Sequence, residues 1–94
     1  MAAQVIKRDG TKEVFDENKI RKSIEMAAKG VALAEDRVNA IVAQVAGLVL
    51  QFAAGKEEIA TKEIWDFIAT QLDQVEPTVA ESWRKYEQEK YSKV

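Results

Sequence analysis

The sequence predicts an α+β protein that is mainly α: a four-helix bundle capped by a small three-stranded β-sheet. The expected order is β-hairpin, two helices, short strand, two helices. Three observations carry this. Asp9-Gly10 stands between two short runs of strand-like residues and marks a hairpin turn. Val38, Ile41, Val42, Val45, Leu48, Val49 and Phe52 recur at spacings of three and four, which draws a broad apolar stripe along one helix. Glu57-Glu58-Ile59-Ala60 then offers a short extended segment between two further helical patterns.

Taken in order, residues 4–8 and 12–15 read as the hairpin strands. Asp9-Gly10 reads as a two-residue turn whose central positions both take positive φ, with Gly10 adopting it at no steric cost. An isolated hairpin is barely stable, so a third strand or a helix must support it. Asp16 is a side-chain cap for a helix over 17–29, with Ile20, Ile24, Ala27 and Ala28 on its apolar side. Gly30 is expected to end that helix in left-handed geometry. The clearest helix spans 35–53, closed by Gly55. Each large aliphatic side chain buried on its stripe contributes about 1.5–3 kcal/mol before entropy is subtracted. Residues 57–60 supply the third strand. Thr61 reads as the N-cap of a helix over 62–73 that buries Ile64, Phe67, Ile68 and Leu72. Pro77 suits the first turn of a last helix from about Thr78 to Glu89, which buries Val79, Ala80, Trp83 and Tyr86. Lys90 to Val94 reads as a frayed tail.

Ninety-four residues make one domain, with its core over about 4–90. Apolar residues at 47% and charged residues at 32% are the composition of a soluble globular chain. Cysteine and histidine are both absent, which removes disulfides, thiolate metal sites and the commonest general base. No apolar run approaches a membrane span and no signal-peptide core is present, so a cytoplasmic location without membrane attachment is expected. The net charge of −2 conceals an asymmetry: residues 1–29 carry seven Lys/Arg against five Asp/Glu, and the rest of the chain is acidic. An acidic chain is a poor nonspecific ligand for nucleic acid, and local positive charge at one end suits a small anion.

That positive end coincides with the hairpin and the start of the first helix, where free N–H groups and the helix dipole favour phosphate. The run Val5-x-Lys7-Arg8-Asp9-Gly10, then Phe15-Asp16-x-x-Lys19-Ile20, resembles the ATP-cone, the regulatory nucleotide-binding domain at the N-terminus of many ribonucleotide reductases. Ile59-Ala60-Thr61-Lys62-Glu63-Ile64 matches a second family segment. Val79-Ala80 with Trp83 and Tyr86 matches the closing one. The resemblance covers residues 4 to 90.

The resemblance implies ATP or dATP as effector, with Mg²⁺ accompanying the nucleotide and held mainly by phosphate and water. It assigns Lys7 and Lys19 to the phosphates. Arg8 either grips phosphate or pairs with Asp9, Glu13 or Asp16 to shape the turn. Val5 and Ile20 correspond to positions flanking the adenine, and plain core packing is the alternative for both. Glu13 and Asp16 correspond to polar positions near base and sugar. Thr61 offers a hydroxyl. Trp65 departs from the family, which often carries a polar residue there; it either stacks on a base or fills a gap, and it bears on whether one or two nucleotides are held. Trp83 and Tyr86 read as core.

No catalytic set is visible, and the isolated Gly30, Gly47 and Gly55 make no phosphate loop of the P-loop kind. A non-catalytic regulatory domain is therefore expected, acting allosterically on a partner such as a ribonucleotide reductase catalytic subunit, with self-association as a further mode. A zinc-ribbon repressor that also contains a cone is excluded in full-length form by the missing cysteines. The competing reading is a helical protein-interaction module without nucleotide binding, in which Lys7 and Lys19 only solvate the surface. A small phosphotransferase lacks both base and phosphate loop.

Overall fold

The computed structural model describes residues 4–92. Its elements are β1 (Gln4–Ile6), β2 (Lys12–Val14), α1 (Glu17–Lys29), α2 (Glu35–Ala53), β3 (Glu58–Ala60), α3 (Thr61–Val75) and α4 (Pro77–Ser92). This is the mainly α architecture with a three-stranded sheet that the sequence predicts. The sheet order is β2-β1-β3. β1 pairs antiparallel with β2 (Val5 opposite Glu13) and parallel with β3 (Val5 opposite Ile59). The helices close a ring in which α1 packs on α2, α2 on α3, α3 on α4 and α4 on α1. Ile24, Ile41, Val45, Val49, Ile68, Leu72, Val79 and Trp83 fill its centre, and Ile59 brings the sheet onto the same core. Among the described residues no polar or charged residue is fully buried.

Four local expectations need correction. The hairpin turn is not a two-residue one. Gly10 N–H donates to the Lys7 carbonyl at 2.9 Å, and Lys7 N–H donates to the Thr11 carbonyl at 2.7 Å, so the loop is Arg8-Asp9-Gly10. Of these three residues, Gly10 alone has positive φ, at 91°. Asp9 stays in the ordinary region because its carboxylate accepts from the Thr11 amide (3.0 Å) and hydroxyl (2.6 Å), which fixes a tight turn before the glycine. The arrangement is that of a three-residue hairpin loop with glycine at the left-handed position.

Gly30 does not end α1 in left-handed geometry: its φ is −71° and ψ −11°. Its small size serves helix packing instead. A Cβ there would lie 2.9 Å from the Ser82 hydroxyl, which donates to the Ala27 carbonyl at 2.9 Å and ties α4 to the end of α1.

Thr61 is the first helical residue of α3, not its cap. Ala60 holds the cap position with extended backbone (ψ 142°), and no side chain caps the helix. The chain passes straight from β3 into α3, so the sheet pairing of Ala60 takes the place that a capping loop would occupy. α3 runs on to Val75 and stops at Glu76, which is extended because it precedes Pro77. The Glu76 carbonyl accepts from Val79 and Ala80, and Pro77 opens α4 as expected.

The frayed tail is overturned in part. α4 continues through Ser92, while Lys93 and Val94 lie outside the described residues. Elsewhere, Asp16 caps α1 as expected by accepting from Asn18 N–H at 2.9 Å, and α2 keeps its expected bounds.

The Gly30–Ser82 approach predicts a coupled response. Gly30→Ala gains about 0.4–1 kcal/mol from the unfolded chain, because an alanine fits this backbone. It loses a similar amount by displacing the Ser82 hydroxyl, so the single variant should be nearly neutral. With Ser82→Ala already in place, the same change should stabilise. A urea double-mutant cycle should return a coupling of about 0.5–1.5 kcal/mol, and strict additivity would contradict the packing account.

Candidate functional site

A cavity of about 890 Å³ lies between the hairpin, the first half of α1, the start of α3 and Trp83 of α4. Its volume falls within the roughly 300–1,000 Å³ typical of small-molecule sites. Val5, Lys7, Arg8, Glu13, Asp16, Lys19, Ile20, Thr61 and Trp65 all line it. The nine side chains singled out in the sequence thus come together from β1, the turn, β2, α1 and α3.

The geometry of each element explains the convergence. Val5 on β1 and Lys7, the first residue beyond that strand, are two positions apart in the hairpin, and both border the cavity. On α1, Lys19, Lys22 and Ser23 stand at i, i+3 and i+4 and form one side of the helix. On α3, Thr61, Ile64, Trp65 and Ile68 repeat at i, i+3, i+4 and i+7, and all four border the cavity. The result is polarised. Val5, Ile20, Ile64, Trp65, Ile68 and Trp83 make an apolar floor, while four cations (Lys7, Arg8, Lys19, Lys22) face three carboxylates (Asp9, Glu13, Asp16) around it.

The carboxylates are already engaged. Asp9 is held by Thr11, Asp16 by the start of α1, and Glu13 by Lys19 at 3.6 Å. The Thr11 hydroxyl, and after it the Thr11 amide, hold the Asp9 carboxyl below the usual carboxylate range. The cavity therefore presents more open cationic than anionic capacity.

Among the described residues the ion pair of Arg8 is with Glu87, and not with Asp9, Glu13 or Asp16. Its guanidinium meets the Glu87 carboxylate on α4, 79 positions away, and this pins the hairpin turn to the last helix. A turn residue and a residue near the end of the last helix meet only through the tertiary fold, so local spacing does not reveal the pair. Lys7 makes no ion pair with a carboxylate among the described residues.

Trp65 is 6% exposed and stacks on Trp83, with ring centroids 4.0 Å apart and an interplanar angle of 28°. Tyr86 tilts against it at 5.7 Å. Trp83 N–H donates to the Trp65 carbonyl at 3.1 Å. Trp83 is core, as expected, and it also closes the cavity floor. Lys22, Ser23, Ile64, Ile68 and Glu87 were not among the expected site residues. The helical spacing from Lys19 and from Thr61 points to the first four; nothing in the sequence points to Glu87.

Among the described residues there is no cluster of three or more carboxylate, histidine or cysteine side chains to hold a metal, and no helix is long and apolar enough to cross a membrane.

The family model for the ATP cone domain matches residues 3–90. The chain belongs to the ATP-cone family. Curated relatives are the "Transcriptional repressor NrdR" of Stenotrophomonas maltophilia (strain K279a), 31% identical over 68 residues, and that of Hyphomonas neptunium, 31% identical over 74 residues. The same-named protein of Bordetella petrii is 28% identical over 72 residues. These alignments take in 72%, 78% and 77% of this chain but only 38%, 45% and 44% of the three relatives. The cone thus spans less than half the length of the curated relatives it matches.

The Asp9 turn that shapes the cone's rim has a pH signature. A lowered folded pKa means that the turn's stabilisation is present above the unfolded value near 3.8 and is lost as pH falls through the folded one. In an NMR titration the Asp9 carboxyl should titrate below its ordinary position. Thr11→Val should move the midpoint up toward 3.8, and an unmoved midpoint would contradict the assigned cause.

Proposed function

We propose that this cone is a non-catalytic regulatory domain that binds ATP or dATP in the cavity beneath the hairpin. The single observation supporting this is the convergence of nine residues, expected from separate motifs, on one cavity with an apolar floor and a cationic rim. The phosphates lie between Lys7 of the hairpin and Lys19 at the dipole-positive start of α1, with the Arg8 charge beside them. The base rests among Val5, Ile20 and Trp65; Glu13, Asp16 and Thr61 serve the sugar and base edges. Mg²⁺ travels with the nucleotide, held by phosphate and water.

The energetics favour exchange at Lys19. Its ion pair with Glu13 is long and solvent-exposed, and such pairs contribute about 0–1 kcal/mol. A charge-assisted bond to phosphate is worth about 1.5–3 kcal/mol, so phosphate displaces the carboxylate. Arg8, whose pair with Glu87 is more buried, keeps its partner and fixes the turn.

Regulation requires that ATP and dATP differ in what they do to a partner, since equal interaction with both states shifts nothing. One setting is a ribonucleotide reductase catalytic subunit whose assembly the cone adjusts. The relatives' names favour a second: the nucleotide-sensing part of a transcriptional repressor. With a net charge of −2, the cone is a poor DNA ligand itself, so any operator contact in that setting belongs to other residues. Co-purification of the nucleotide-loaded cone with a reductase subunit or with a DNA-binding region separates the two settings.

Isothermal calorimetry with ATP and dATP tests the binding itself. Lys7→Ala and Lys19→Ala should each weaken binding by about 1.5–3 kcal/mol, and the nucleotide should be recovered without phosphate release. Unchanged affinity in a folded double variant would refute the site and favour the protein-interaction module.

A further inference from the structure

The four cations of the cavity fall into two classes. Arg8 and Lys19 each already face a carboxylate of the chain, Glu87 and Glu13. Lys7 and Lys22 do not: neither pairs with a carboxylate among the described residues, although Lys12, Arg21 and Lys29 on the same two elements all do. An ammonium already satisfied by a carboxylate must exchange it for a ligand. One that lines a cavity without such a partner accepts an anion with no exchange.

Lys7 and Lys22 stand on different walls, the hairpin and the second turn of α1. Lys22 lies one helical turn beyond Lys19 on the same face, about 5–6 Å further along the helix surface. The cations of α1 therefore form a track that leads away from the helix start. Ser23 flanks the track; its hydroxyl donates to the Lys19 carbonyl at 2.9 Å and keeps its lone pairs.

We propose that Lys22 is the residue that counts phosphates: it binds the terminal group of a triphosphate, which a diphosphate bound at Lys7 and Lys19 does not reach. The site then discriminates nucleoside triphosphates from diphosphates through one side chain. This rests on the cavity being the nucleotide site. It adds to the sugar and base a further feature of the ligand that the site reads, the length of the phosphate chain. Such a cone reports the phosphorylation state of the nucleotide pool as well as its base and sugar.

The test compares ATP, ADP and AMP by calorimetry on the full chain, in wild type, Lys22→Ala, Lys22→Arg and Lys29→Ala. Lys29 pairs with Glu25 and does not line the cavity, so its removal controls for the loss of one positive charge. Lys22 is exposed on a helix, and its replacement leaves the core intact. Lys22→Ala should weaken ATP binding about ten-fold or more, the loss expected for one charge-assisted hydrogen bond. It should change ADP and AMP binding about two-fold at most, so the ATP-to-ADP affinity ratio collapses. Lys22→Arg should restore the ratio, and Lys29→Ala should leave it unchanged. Equal losses for ATP and ADP in Lys22→Ala, with the wild type binding both, would overturn the phosphate-counting role alone. Failure of the wild type to bind any of the three would overturn the nucleotide site with it.

Discussion

The pairing of β1 with β3 is the constraint on which the rest of the structure depends. β1 is three residues long, and β2 alone would leave it in a marginal hairpin. Its parallel ladder to β3 joins Gln4–Ile6 to a segment more than fifty positions away, across both β2 and the first two helices. Ile59 is fully buried and Val5 nearly so, which makes this short ladder the seam between sheet and helical core. Once β1 is fixed there, the hairpin must lie over the beginning of α1, and β3 must feed directly into α3. Both walls of the cavity follow from that one seam.

A second tie completes the enclosure. The Arg8–Glu87 pair holds the turn to α4, and the stacked Trp65 and Trp83 join α3 to α4 under the cavity floor. The Ser82–Ala27 hydrogen bond does the same for α4 and α1 at the opposite end of α1. The fourth helix contributes little polar lining, yet it sets the position of three elements that do. The turn and α4 are thus joined through the Arg8–Glu87 ion pair.

How much was legible in the sequence follows the range of the interaction. Periodicity along α1, α2 and α3 reports burial within single elements, so the helices and most core positions could be read. Asp16 as a cap is equally local. The errors arise where two elements meet. Gly30 looks like a helix stop, but its missing Cβ makes room for Ser82, 52 positions later. Thr61 has the chemistry of a cap, but the sheet register of Ala60 claims that place. Asp9-Gly10 carries the signal of a two-residue turn, and the Thr11 hydroxyl shifts it to a three-residue one. The grouping of the candidate residues around one cavity is legible through the resemblance of their motifs and not through spacing alone, since Val5, Lys19 and Thr61 are joined only by the fold. Lys22 and Ser23 were within reach of the helical repeat from Lys19. The Glu87 partner of Arg8 was not.

The central claim is that the hairpin, seated on the start of α1, encloses a nucleotide. Amide and indole chemical-shift mapping during an ATP titration addresses it most directly. The account predicts that the largest changes fall on Lys7–Thr11, on Asp16–Ser23 and on the indole N–H of Trp83, whose hydrogen bond to Trp65 forms the cavity floor. Silent resonances there, with changes gathered instead around the α1–α2 junction near Leu33 and Glu35, would contradict it.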